Sequence, residues 1–301
     1  MISRRRLLQA AGTGLAGFGV IGRAGFDRAA AMSREQFAAE LERLERDSGG
    51  RLGVTLLDTA TGERTGHRMD ERFPMCSTFK VLASGAILHN VDTGKENLER
   101  RIYFSEADLV TYSPETTKHV GPVGMTVAEL CKAAITLSDN TAANLLLASI
   151  GGPQGLTAFV RSLRDPVTRL DRIETALNEA LPGDPRDTTT PNAMASDLRT
   201  LVLGDTLSAK SREQLTAWLA ANTTGGKRLR AGLPAGWRVG DKTGTGGRGT
   251  ANDAAVIWPV ARAPVIVTVY LTGATVSADQ QSAVIASVGR AATMALMGTH
   301  H

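Results

Sequence analysis

Segments with β character lie only near the two ends of this chain, and the stretch between them reads as helix. Arg51–Asp58 is apolar and β-prone, and after the turn Ala60-Thr61-Gly62-Glu63 a second strand runs to about Arg68. The next such segments are Trp237–Lys242, Ala251–Trp258 and Val265–Leu271. Strands so far apart in sequence can share a sheet only if both ends of the chain return to it. Ser33–Arg46 sets Phe37, Leu41 and Leu44 at helical spacing, with Ser33 and Gln36 placed as a capping box, and Ser277–Met297 is a closing helix. The expected fold is therefore α/β: an antiparallel β-sheet domain flanked by terminal helices, with an inserted all-α domain. Its expected parts are 32–74 with 223–301 for the sheet and 75–222 for the helices. The helical part includes a helix from Ser77 to about Asn90, then Val127–Leu137, Thr141–Ile150, Gln154–Leu163, Thr188–Leu203 and Ser211–Asn222.

One loop, 164–190, is too long and too rich in Pro166, Pro182, Gly183 and Pro185 to be a plain connection, and loops of that length inside a compact domain are commonly functional. Arg172 and Asp187, near its two ends, are the pair expected to pin it shut.

The formal net charge of the 301 residues is +4, and residues 1–31, with five arginines and one aspartate, carry all of it. The body is neutral, so no nucleic-acid partner follows. Ser3-Arg4-Arg5-Arg6-Leu7-Leu8 has the form of a twin-arginine export signal, followed by a Gly/Ala-rich apolar run to about Ile21 and small residues at Ala29-Ala30-Ala31. That run is short and glycine-rich for a bilayer span. The expectation is an exported protein, periplasmic or secreted, without a stable membrane span once the signal is removed, and monomeric. Cys76 and Cys131 form no metal or redox motif and are expected to be free and buried. His67, His89, His119, His300 and His301 have no zinc-site spacing, so neither metal nor cofactor is expected.

Four short elements carry chemistry. In Ser77-Thr78-Phe79-Lys80 a serine and a lysine sit one helical turn apart, which offers a nucleophile beside a candidate base. Ser138-Asp139-Asn140 falls between two helices, Glu174-Thr175-Ala176-Leu177-Asn178 lies in the long loop, and Lys242-Thr243-Gly244-Thr245-Gly246 ends a strand. Each alone has an ordinary reading, as a helix cap, a polar surface turn or a strand running into glycines. Their order and separations together do not.

The set resembles the class A serine β-lactamases over essentially the whole chain after the leader, including Asn252-Asp253. The resemblance implies the β-lactamase/penicillin-binding transpeptidase-like fold with a site in the cleft. It implies that Ser77 attacks the lactam carbonyl of a small-molecule β-lactam, with the backbone N–H groups of Ser77 and Thr245 as the oxyanion hole. Lys80 and Glu174 are the candidate acylation bases, Ser138 a proton relay, and Glu174 with Asn178 the holder of the deacylating water. Lys242, Thr243 and Thr245, with Gly244 in the same strand, would bind the substrate carboxylate. Asn140 would bind the side-chain amide, and Tyr112 would wall the cleft mouth.

Departures bear on specificity. Many relatives place an arginine just after the Lys-Thr-Gly strand; here the region reads Gly249-Thr250-Ala251-Asn252. Arg228 resembles the substitute used by broad-spectrum members, including carbapenemases. Gly246 stands where many carbapenemases have a cysteine, so Cys76 cannot make their disulfide. Carbapenem hydrolysis is thus compatible with the sequence without being implied by it. Arg248 reads as a solvated turn charge. Two rivals share part of the set, a penicillin-binding D,D-peptidase and a non-hydrolysing β-lactam sensor domain. Glu174 to Asn178 argues against both.

Overall fold

The computed structural model describes residues 32–298. The expected leader, His300 and His301 lie outside them. Helix α1 (Arg34–Ser48) starts on the capping box read in the sequence: Ser33 N–H donates to Gln36 Oε1 at 2.7 Å and Gln36 N–H to Ser33 Oγ at 3.2 Å. It stops at Gly49, whose φ of +68° suits glycine. Strands β1 (Arg51–Asp58), β2 (Arg64–His67) and β3 (Phe73–Pro74) follow, and then helix α2 (Phe79–Asp92). Two short strands, β4 (Arg101–Ile102) and β5 (Met125–Thr126), pair with each other ahead of helices α3 (Val127–Thr136), α4 (Asn140–Ser149) and α5 (Gly152–Ser162). After the long loop come β6 (Thr188–Thr189), α6 (Pro191–Val202), α7 (Ala209–Ala220) and α8 (Leu229–Gly232). Strands β7 (Arg238–Gly246), β8 (Thr250–Trp258) and β9 (Val265–Thr272) and helix α9 (Ala278–Gly298) complete the chain.

Both ends of the chain do build one antiparallel sheet, in the order β2-β1-β9-β8-β7. Register explains why β1, β8 and β9 read as nearly continuous apolar runs. Leu52, Val54 and Leu56 stand opposite Leu271, Val269 and Val267, and this face packs on Phe37 and Leu41 of α1 and on Ile285 and Val288 of α9. The alternate residues Leu57, Ile266, Val256 and Tyr270 face the other way, onto Phe79, Leu198 and Leu201. With helices on both faces, the usual polar alternation disappears.

Helix α2 is buried on all sides from Phe79 to Leu88. A helix apolar all round belongs inside a core, and Lys80 is carried in with it, its side chain fully buried.

Three boundaries differ from the sequence reading. The helix expected to start at Ser77 begins with a 3-10 turn, Cys76–Thr78, and becomes α-helical only at Phe79. Thr188–Thr189 is not helix but pairs with Phe73–Pro74 across the base of the long loop. Pro191 disfavours helical backbone at Thr190, which is extended (φ −115°, ψ 155°) and caps α6 through its hydroxyl. Strand β7 does not stop at Lys242; its ladder with β8 continues to Gly246 opposite Thr250.

Candidate active site

Four contacts fix the serine. Met75 N–H donates to Asp187 O at 2.9 Å, and Thr78 Oγ1 donates to Met75 O at 2.8 Å. Asn252 Nδ2, on β8, donates to Pro74 O at 2.8 Å and Met75 O at 3.0 Å. The segment around Ser77 is therefore tied to the long loop on one side and to the sheet on the other.

Ser77 Oγ donates to Glu174 Oε1 at 3.1 Å. Lys80 Nζ lies 3.1 Å from that same oxygen, and Asn178 Nδ2 donates to Glu174 Oε2 at 2.5 Å. Serine and lysine, expected side by side, thus meet through the carboxylate between them rather than by a direct hydrogen bond. The 3-10 turn at Ser77 and the intervening glutamate account for this. Lys80 Nζ also donates to Ser138 O at 2.7 Å and Asn140 Oδ1 at 2.6 Å, and reaches Ser138 Oγ at 3.4 Å. Lys242 Nζ donates to Ser138 Oγ at 3.1 Å and to Thr243 O at 2.8 Å. The Ser138 hydroxyl therefore bridges two buried ammonium groups. Burial pushes the Lys80 ammonium below the ordinary lysine range, with Glu174 opposing. Lys242 is pushed well below it by burial and by the charge of Lys80.

The loop delivers Glu174 through its backbone. Asn144 Oδ1 accepts from Glu174 N–H at 2.9 Å while Asn144 Nδ2 donates to Glu174 O at 3.0 Å. The Glu174–Thr175 peptide is cis. The expected pin is present: Arg172 Nε donates to Asp187 Oδ2 at 2.6 Å. Asp187 Oδ1 accepts the backbone N–H groups of Asp171 and Arg172 as well, at 2.7 and 2.9 Å. Removing the charge of Asp187 breaks a partly buried ion pair and leaves Arg172 only Glu179, at 2.8 Å on the exposed side, an effect of about 3 kcal/mol. Asp187→Asn should lower Tm by about 6 °C and slow turnover, as read by thermal unfolding and steady-state hydrolysis. Exchanging the two residues should not rescue it, because an arginine at 187 cannot accept the two backbone N–H groups.

Ser77, Tyr112, Ser138, Asn140, Asn178, Thr224, Arg228, Thr243 and Thr245 line a cavity of about 400 Å3. Tyr112 is 59% exposed at its edge. Lys80, Glu174 and Lys242 lie beneath the cavity wall, hydrogen-bonded to Ser77 and Ser138; Gly244 and Asn252 are likewise in its frame. Arg228 Nη1 donates to Gly244 O at 2.7 Å and Asn252 O at 2.6 Å, and its Nη2 donates to Thr245 Oγ1 at 2.7 Å. Its guanidinium thus stands at the Lys-Thr-Gly strand, where the sequence reading sought a substitute cation. Gly246 faces Cys76: a Cβ there would stand 2.6 Å from Cys76 Sγ and 2.8 Å from Asn178 O. Both cysteines are free and buried. Burial pushes the Cys131 thiol up to about 12 and the Cys76 thiol higher still.

Two contributors were missed in the sequence. Asn144 lies on α4 one turn beyond Asn140, on the same face, and that polar position in an apolar helix was the available signal. Thr224 shares a 2.5 Å hydrogen bond with Thr243, and nothing in its surroundings marked it. Among the described residues no cluster of His, Cys, Asp and Glu is placed to hold a metal ion, and no helix is long and apolar enough to cross a membrane.

The model of the β-lactamase enzyme family matches residues 36–296. Over 255 residues the chain is 55% identical to β-lactamase AST-1 of Nocardia asteroides, spanning 84% of this chain and 81% of the relative. It is 48% identical over 299 residues to β-lactamase L2 of Stenotrophomonas maltophilia, spanning 97% and 98%. Among solved structures, the putative class A β-lactamase PenP from Rhodopseudomonas palustris is similar at 71% identity and a TM-score of 0.84, covering 85% of this chain and 97% of that one.

Proposed function

The chain belongs to the class A β-lactamases, hydrolases that open the cyclic amide of β-lactam antibiotics and so confer resistance, and from that premise we propose how its own residues divide the work. Ser77 is the nucleophile and forms the acyl-enzyme. The observation that carries this is the Ser77 hydroxyl donating into a carboxylate that Lys80 and Asn178 also hold. A serine needs such a base at hand.

Glu174 and Lys80 are the two candidate acceptors of the Ser77 proton during acylation, and Glu174 then activates the hydrolytic water, with Asn178 orienting its carboxylate. Ser138, bridging Lys80 and Lys242, passes a proton to the departing nitrogen. The N–H groups of Ser77 and Thr245 stabilise the oxyanion; β7 is an edge strand, so part of its backbone is free of the ladder. Lys242, Thr243, Thr245 and Arg228 hold the substrate carboxylate, Lys242 by its charge beneath the strand. Asn140 and Tyr112 contact the substrate's side chain. Penicillins and cephalosporins are the substrates this arrangement suits, and Arg228 extends the reading to carbapenems.

The test is to mix the enzyme with a chromogenic cephalosporin, benzylpenicillin and a carbapenem in turn, following absorbance and intact mass. Many turnovers by a monomer-sized species, with no lasting mass gain, are expected for the first two. A persistent stoichiometric adduct would sink the assignment of Glu174. Export by residues 1–31 belongs to the same reading. Replacing Arg4 and Arg5 by lysine should leave the unprocessed chain in the cytoplasm, and normal export of that variant would refute a twin-arginine route.

A further inference from the structure

The loop that carries Glu174 has a second face. Behind it lies a cavity of about 680 Å3, larger than the catalytic cleft and within the range of small-molecule sites. Its apolar side is made by Pro74, Leu181, Pro182 and Pro185. Three guanidinium groups, Arg51, Arg72 and Arg248, also line it. The acids in its wall are already committed: Glu71 pairs with Arg51 and Arg68, and Asp184 pairs with Arg186. Among the described residues Arg72 donates only to neutral oxygens, Val167 O at 2.9 Å and Thr188 Oγ1 at 3.0 Å. The Arg248 side chain, exposed in the β7–β8 turn, makes no hydrogen bond or ion pair among the described residues; only its carbonyl is engaged, accepting from Gly273 N–H at 2.9 Å. Two cations without carboxylate partners therefore share one cavity with an apolar wall.

We propose that this cavity is a second ligand site, for an organic anion that joins an apolar body to carboxylate groups. A guanidinium matches a carboxylate geometrically, and the apolar wall excludes inorganic anions as the best fit. The reaction of this family supplies two such molecules, the β-lactam with one carboxylate and its ring-opened product with a second. The choice of ligand thus rests on the family's activity, whereas the existence of the site does not rest on any catalytic role. An occupant would press on Ala180 and Leu181, which lie two and three residues beyond Asn178, the residue of the Ala176–Asn178 turn that donates to the Glu174 carboxylate.

The test uses the enzyme with its cleft capped by saturating phenylboronic acid on Ser77, titrated calorimetrically with benzylpenicilloate and, separately, with benzylpenicillin. One-to-one binding should persist under the cap and weaken tenfold or more in R248E, which removes a side chain without a hydrogen-bond or ion-pair partner among the described residues and leaves the backbone contact to Gly273 in place. Tighter binding of benzylpenicilloate identifies the product as occupant; tighter binding of benzylpenicillin identifies the substrate. Loss of all binding under the cap would place every ligand in the cleft and overturn the proposal, as would unchanged affinity in R248E. Failure of the catalytic reading shows separately, as a capped enzyme that still turns over.

Discussion

Glu174→Ala should accumulate an acyl-enzyme on Ser77. Intact mass should rise by one ring-opened substrate, and steady-state turnover should fall by about 10^2 to 10^4, the usual contribution of a positioned general base. That is about 3–5 kcal/mol of barrier. The alanine also strips the fully buried Lys80 of its anionic partner at 3.1 Å, so it changes charge as well as base. Glu174→Gln separates the two: it keeps the volume and a hydrogen-bonding oxygen, yet should trap the same adduct. Single-turnover kinetics then divide the acylation step. If acylation slows as much as deacylation, Glu174 serves both; if acylation persists, Lys80 carries it. Normal penicillin turnover by either variant would refute the role given to Glu174.

How far the sequence showed this site depends on whether each partner leaves a local mark. The sheet built from both chain ends followed from where the β-prone segments lie, and the register of β1 with β9 agrees with it. Arg172 and Asp187 were legible because opposite charges near the ends of one long loop have few other uses. Their ion pair is formed, but the two backbone N–H groups that Asp187 also accepts are set by loop curvature and leave no trace in residue order. The relation of Ser77 to Lys80 was half legible. Their spacing is right for one helix face, yet the helix starts two residues later, and Glu174, almost a hundred residues on, takes the place between them. Asn144 was hidden because a lone polar residue in an apolar helix reads as exposed, whereas here both ends of its amide clamp the backbone of Glu174. The lysines show a general limit: composition suggests solvated charges, and only packing reveals that Lys80 and Lys242 are fully buried.

Ser77→Ala should abolish covalent labelling by any β-lactam and reduce turnover by about 10^6, the scale seen when a serine acyl-transfer enzyme loses its nucleophile. The fold should barely respond. The Ser77 side chain is small and makes one side-chain hydrogen bond among the described residues, to a carboxylate that Lys80 and Asn178 still hold. Losing it costs about 1 kcal/mol, or about 2 °C in Tm. Reversible binding should survive, because the groups assigned to the substrate carboxylate are held independently of Ser77: Arg228 on the backbone of β7 and β8, Thr243 on Thr224. The decisive comparison is therefore within one variant, a retained penicillin Kd beside a mass spectrum without adduct. A covalent adduct in Ser77→Ala would move the nucleophile elsewhere, and the nearest hydroxyl bridging two ammonium groups is that of Ser138. Combining Ser77→Ala with Glu174→Ala orders the two steps: the double variant should bind without reacting, as the serine variant does, because deacylation has nothing to act on when no ester forms.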